Sequence, residues 1–119
     1  MGFGESISAG FANYFNFRTR ATRSEYWYFI LFLFIVSFAL AIVEYVVSGP
    51  DAKFLLSSLF SLATFIPSLS VFVRRLHDIG RSGWWFFLGV IPLIGIIVLI
   101  YWLCQPSTPG PNEYGPAPA

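Results

Sequence analysis

Charge is scarce in this 119-residue chain: 11% of residues are Asp, Glu, Lys or Arg, against 56% hydrophobic and 20% aromatic. Soluble domains carry about 25% charged residues, and a soluble fold of this size could not cover so much apolar surface. The single Cys104 excludes an internal disulfide and a cluster of thiolate metal ligands. The single His77 leaves no second imidazole for a metal site. No Ser, Cys or Lys stands in a recognisable nucleophile motif, so neither catalytic residues nor a cofactor are expected and the chain is read as a non-enzyme. No nucleic-acid partner is expected either.

What the chain does have is three long apolar stretches, at 26–47, 54–73 and 84–103. A membrane-spanning helix needs about 20 mainly apolar residues at a rise of about 1.5 Å each, and all three meet that length. The first contains one charge, Glu44, and the other two contain none. The fold class that follows is an all-α membrane protein. Its single domain over 1–119 carries an amphipathic interfacial helix at 3–16, transmembrane helices at 24–48, 53–75 and 83–104, and an irregular tail at 105–119.

Local signals mark the ends of these elements. Phe3, Ile7, Phe11, Tyr14 and Phe15 recur at helical spacing, which suits a helix lying in the headgroup layer or one packed on the spans. Thr22-Arg23-Ser24-Glu25 matches a capping box at the start of the first span, and Ser48-Gly49-Pro50-Asp51 breaks it. Gly80 can close the second helix and Ser82 can cap the third. Pro92, between Gly89 and Gly95, predicts a kink in the third helix.

The cations are unevenly placed. Arg18, Arg20 and Arg23 precede the first span, Arg74, Arg75 and Arg81 lie in a loop expected at 74–83, and only Lys53 separates the first and second spans. Since cytoplasmic loops retain Lys and Arg, the N-terminus and the 74–83 loop are expected in the cytoplasm, and three crossings then place the C-terminus outside. These arginines, with Glu25, His77 and Asp78, form a candidate site for anionic lipid headgroups. A sharper version is an ion-paired belt in which Arg23, Arg74 and Arg75 meet Glu25 and Asp78. His77 and Asp78 are not read as an acid–base pair, because neighbours along a helix do not face each other.

Two polar stripes run at helical spacing: Ser57, Ser61, Thr64 and Ser68 on the second span, and Ser37, Ala41, Glu44 and Ser48 on the first. In lipid, small and hydroxylated residues mark close helix approach. With Gly89, Pro92 and Gly95 of the third span, they are read as packing seams, within the chain or toward a second copy or a larger membrane partner. The alternative is a conduit through an oligomer, lined by Glu44 and the Ser/Thr stripe. Glu44 lies about 25 Å along its helix from Trp27, near the outer hydrocarbon boundary, where it can snorkel or pair with Lys53.

Three motifs carry a family resemblance. The run from Phe17 to Trp27 (Phe-Arg-Thr-Arg-Ala-Thr-Arg-Ser-Glu-Tyr-Trp) resembles the opening of the small bacterial inner-membrane proteins grouped as domain of unknown function 805. Arg74-Arg75-Leu76-His77-Asp78-Ile79-Gly80-Arg81-Ser82-Gly83-Trp84-Trp85 is similar to the central signature of that family, and Pro109-Gly110-Pro111-Asn112-Glu113-Tyr114-Gly115-Pro116 to its closing one. Thr19, Glu113 and Ala117 depart from the usual Gly, basic residue and Asp. The resemblance implies a multi-pass bacterial inner-membrane protein and brings no catalytic residues. A non-enzymatic subunit or scaffold with an arginine-rich, lipid-binding face is the resulting expectation, with the oligomeric conduit as alternative.

Overall fold

A computed structural model describes residues 2–118; Met1 and Ala119, the last residue of the expected tail, lie outside them. The elements are α1 (Phe3–Ala12), α2 (Arg23–Ser48), a short 3-10 turn (Gly49–Asp51), α3 (Leu55–Asp78), a 3-10 helix (Gly83–Val90) and α4 (Ile94–Leu103). Among the described residues the one bridge of β type joins Asn112 and Gly115 in the tail.

Extended backbone at Thr22 opens α2, and its Oγ1 accepts from the Glu25 N–H at 3.2 Å. The reciprocal half of a capping box is missing, because the Glu25 carboxylate turns instead to Arg74. α2 and α3 are long and apolar enough to cross a membrane. Phe34, Phe38, Val46 and Val47 stand exposed on α2, a surface that water would not support and hydrocarbon does.

α1 packs on α2 through Gly10, where a Cβ would fall 2.2 Å from the Phe29 ring. The absent side chain is what lets that ring in. Phe11 then meets Phe29 and Phe32 edge-on, while Phe3 and Phe11 keep part of their surface exposed. The helix therefore lies on the spanning pair, and it stops at Ala12, short of the expected residue 16.

α3 departs from expectation at its inner end. A loop was expected from Arg74, yet the helix runs on to Asp78. Helix can carry those charges inward because each meets an opposite charge, as described below. The connection shrinks to residues 79–82, with Gly80 at φ 79° closing the helix as expected. Farther along, Pro67 sits inside α3 and supplies no N–H to the Ala63 carbonyl. The Tyr14 hydroxyl donates to that carbonyl instead.

The third apolar stretch is not one helix, and the expected kink at Pro92 is a reversal. Eight residues of 3-10 helix end at Val90, Leu93 adopts φ 64°, and α4 runs back. In a 3-10 helix residues i and i+3 eclipse, which is how Trp84 and Phe87 come to stack at 5.8 Å. The return is unambiguous at the far end: the Trp102 ring lies 5.4 Å from Trp85, with the Arg81 guanidinium 3.9 Å above it. At rises of about 2.0 Å and about 1.5 Å per residue the two arms measure about 16 Å and about 15 Å, half of a hydrocarbon core of about 30 Å. Pro92 brings no donor to the turn, and Ile94 and Gly95 donate to the Pro92 and Ile91 carbonyls. The expected single helix at 83–104 is thus corrected to a hairpin. So is the tail's position: residues 105–118 lie at the arginine-rich end of α2 and α3, not at the opposite one.

A small core of Ala21, Tyr26, Phe29, Val71 and Leu103 joins the elements at that end, with Trp27 and Phe72 packed against it. The hairpin apex depends on Gly95, where a Cβ would fall 1.9 Å from the Leu88 carbonyl oxygen. We expect Gly95→Val to destabilise the protein by at least about 1–3 kcal/mol, the usual cost of overpacking, read as a lower thermal midpoint in detergent. Gly4→Ala, with nothing within 4 Å of the added carbon, should leave that midpoint unchanged or raise it.

Candidate functional site: a buried ion-pair junction

At the arginine-rich end, the last turn of α3 faces the segment before α2 and the returning tail. Asp78 and Arg75 expose none of their side-chain surface. Asp78 Oδ1 accepts from Arg20 Nε at 3.0 Å, and Oδ2 accepts from Arg75 Nη1 at 2.7 Å and from the Ser107 hydroxyl. A second pair lies one turn back, where Arg74 Nη1 donates to Glu25 Oε2 at 2.5 Å and Arg74 Nε to Ser70 Oγ at 3.4 Å. Arg74 Nη2 is buried and makes no hydrogen bond among the described residues. These pairs hold because each charge has an opposite charge at contact distance in a site shielded from water.

The guanidinium groups also collect carbonyls. Arg20 donates to Thr108 O at 2.7 Å and Gly110 O at 2.7 Å, tying the tail down. Arg75 donates to Leu103 O at 3.2 Å and to Gln105 O, Arg23 to Cys104 O at 3.2 Å, and Trp27 Nε1 to Leu103 O at 3.2 Å. α4 has no basic residue in its own last turn. Its exposed C-terminal carbonyls are met by cations from α2 and α3, the charge that end of a helix favours.

His77 and Asp78 part company as adjacent helix residues must. His77 Nδ1 meets the Thr19 carbonyl at 3.1 Å, and its ring stacks on Tyr114 with centroids 3.9 Å apart and planes 2° from parallel. Asn112 holds that stack in place, donating to the His77 carbonyl at 2.9 Å while its Oδ1 accepts from the Tyr114 N–H. The Tyr114 hydroxyl is pushed above the ordinary phenol value, by desolvation first and then by the negative charge of Glu113.

The structure brings Arg20, Glu25, Arg74, Arg75 and Asp78 together. It does not bring Arg23 to a carboxylate, and Arg20 stands where Arg23 was expected. Arg18 is exposed, and Arg81 stacks on Trp102. At the opposite end Glu44 does not pair with Lys53; its Oε1 accepts from the Ser57 N–H at 2.8 Å, which caps α3 with a carboxylate that the helix lacks in its own first turn. Thr64 and Ser68 hydroxyls donate to Phe60 O and Phe65 O of their own helix, and Ser61 is exposed beside an open groove of about 570 Å³. Ser37 and Ala41 are half-buried on α2 and Ser48 is exposed at its end. Gly95 is buried at the hairpin, Gly89 is half-buried and Pro92 is exposed. Sequence reasoning missed Ser107, Thr108, Asn112 and Tyr114. The polar Asn112-Glu113-Tyr114-Gly115 turn within a proline-rich tail was the signal for the last two; Ser107 and Thr108 carried none.

The family model described as "Protein of unknown function (DUF805)" matches residues 14–116, which span the whole junction from Arg20 to Tyr114. "Inner membrane protein YhaH" of Escherichia coli (strain K12) is 42% identical over 108 residues, covering 89% of each chain. "Inner membrane protein YhaI" of the same strain is 42% identical over 106 residues, covering 89% of this chain and 88% of the relative. No solved structure matches the chain.

Removing the shared carboxylate tests the junction. Asp78→Ala leaves Arg20 and Arg75 buried without a counter-charge and should cost about 3–5 kcal/mol, measured as loss of folded protein against denaturant in detergent. Arg18→Ala, at an exposed and unpaired position, should cost less than about 0.5 kcal/mol in the same assay.

Proposed function

The chain belongs to the DUF805 family, a group with relatives in the bacterial inner membrane, and we propose that it is a non-catalytic multi-pass subunit whose cytoplasmic face gathers anionic lipid. α2 and α3 cross the bilayer, the third apolar stretch enters and leaves from the cytoplasmic side, and both termini lie in the cytoplasm. The arginine asymmetry supports this orientation, since all six arginines sit at one end and Lys53 alone at the other. So do the half-length arms of the hairpin. Non-helical backbone at membrane depth is tolerable where its polar groups are satisfied, as the Ile91–Leu93 turn largely does for itself.

The observation that carries the lipid reading is a division among the arginines. Arg20, Arg74 and Arg75 are buried in ion pairs, whereas Arg18, Arg23 and Arg81 have no carboxylate partner among the described residues and stand at the same pole. Buried pairs build the scaffold, and the other three supply positive potential to headgroups. The titratable groups that could serve chemistry, Glu25, Glu44, His77 and Asp78, are each engaged in a structural contact. The conduit reading has one observation on its side, the exposed Ser58 and Ser61 beside the α3 groove.

Reporters fused to the two ends should give the same compartment, the cytoplasm; opposite compartments would overturn the re-entrant arrangement. Arg18→Ala, Arg23→Ala and Arg81→Ala combined should weaken binding to anionic vesicles by about 1 kcal/mol per arginine at low salt, with little change on zwitterionic vesicles. Unchanged binding overturns the lipid-gathering role. Ion flux in liposomes that Ser61→Leu abolishes would decide for the conduit.

A further inference from the structure

Between α3 and the 3-10 helix lies a cavity of about 430 Å³, walled by Leu69, Val73, Trp84 and Phe87, with His77 and Ser82 as its polar residues. Sites that hold small molecules run from about 300 to about 1,000 Å³. Leu69 and His77 are eight residues apart on α3, so the lining extends about 12 Å along the helix, from the arginine-rich end into the hydrocarbon zone. The deep part is apolar throughout, and the polar groups collect at the shallow part.

Of those polar groups, Ser82 keeps unused capacity. His77 is 6% exposed; its Nδ1 donates to the Thr19 carbonyl, the Arg18 backbone also hydrogen-bonds its ring and Tyr114 covers a ring face, so it closes the shallow end of the slot and places Arg18 there. Ser82 Oγ accepts from the Trp84 N–H at 3.2 Å and keeps its own proton to donate. Arg18 adjoins Phe17, another lining residue, and its guanidinium makes no ion pair or hydrogen bond among the described residues.

We propose that this groove holds one anionic phospholipid of the cytoplasmic leaflet, its acyl chain between α3 and the 3-10 helix and its phosphate at the Arg18 guanidinium and the Ser82 hydroxyl. Charge complementarity selects this occupant: an apolar slot whose polar end carries the Ser82 hydroxyl and the backbone of exposed Arg18, which has no ion pair among the described residues, matches an amphiphile with a single negative charge. This inference rests on the membrane placement proposed above, and it assigns the lipid a stoichiometric site where that reading needs only diffuse attraction.

The test takes the full chain in detergent, stripped of lipid and titrated with phosphatidylglycerol or phosphatidylcholine, with bound lipid counted by native mass spectrometry. One phosphatidylglycerol per chain is expected, with phosphatidylcholine about fivefold weaker and inorganic phosphate unable to displace the lipid. Leu69→Trp fills the slot and should abolish bound lipid, and Arg18→Ala should reduce phosphatidylglycerol to the phosphatidylcholine level. Should Leu69→Trp fail to fold, Phe87→Ala removes an exposed wall without touching the core and should lower occupancy. Equal binding of the two lipids, full retention in these wall variants, or displacement by phosphate alone overturns the site. Vesicle binding measured in parallel separates the two readings: if it persists in wild-type protein while the lipid count fails, the groove is overturned and the diffuse attraction stands.

Discussion

Asp78 is the point on which the arginine-rich pole depends. Its two carboxylate oxygens bind Arg20 from the segment before α2, Arg75 from its own helix and Ser107 from the tail, and its backbone carbonyl accepts from the Thr108 N–H at 2.9 Å. One residue thus fixes three segments. Because it is buried, the Coulombic attraction is weakly screened, and the same burial makes either arginine costly once the carboxylate is gone. The Glu25–Arg74 pair adds a second tie between α2 and α3 one turn away. Together they explain how α3 can end in Arg-Arg-Leu-His-Asp and still be buried there.

Two helix ends in this protein are completed by residues from other elements. α3 begins without an acidic residue of its own and takes Glu44 from α2; α4 ends without a basic residue and takes Arg75 and Arg23. Pro67 leaves one carbonyl of α3 free, and Tyr14 supplies the donor. Near a bilayer such unpaired backbone groups find no water, so each acts as a specific docking point for a distant side chain. The arrangement couples α1, α2, α3 and α4 through polar contacts at both ends of an otherwise apolar bundle.

Features governed by neighbours in sequence were legible before the structure. The existence of α2 and α3 and the length of α2 follow from apolar runs, Thr22 marks a helix start by its hydroxyl, and Gly80 and Ser82 bound the short connection. Features set by distant contacts were not. Pro92 announces a disturbance, but whether it bends or reverses the chain depends on the Gly95 approach to Leu88 and the seating of Trp102 against Trp85 and Arg81. The choice of Arg20 over Arg23 as the partner of Asp78 depends on where the backbone between them turns, and the Ala21 N–H anchors that turn on the Arg74 carbonyl at 3.0 Å. A proline-rich tail carries no periodicity, so the polar Asn112–Gly115 turn marked a local structure but not its return to His77.

The two-crossing arrangement proposed above would have a consequence for biogenesis. In that arrangement only the short connection at residues 49–54 would have to be carried through hydrocarbon to the far side, and its two charges, Asp51 and Lys53, are of opposite sign. Every arginine would stay on the side of synthesis. A chain so divided can enter the bilayer as a paired helical hairpin, with the remaining segments folding onto it from the side on which they were made.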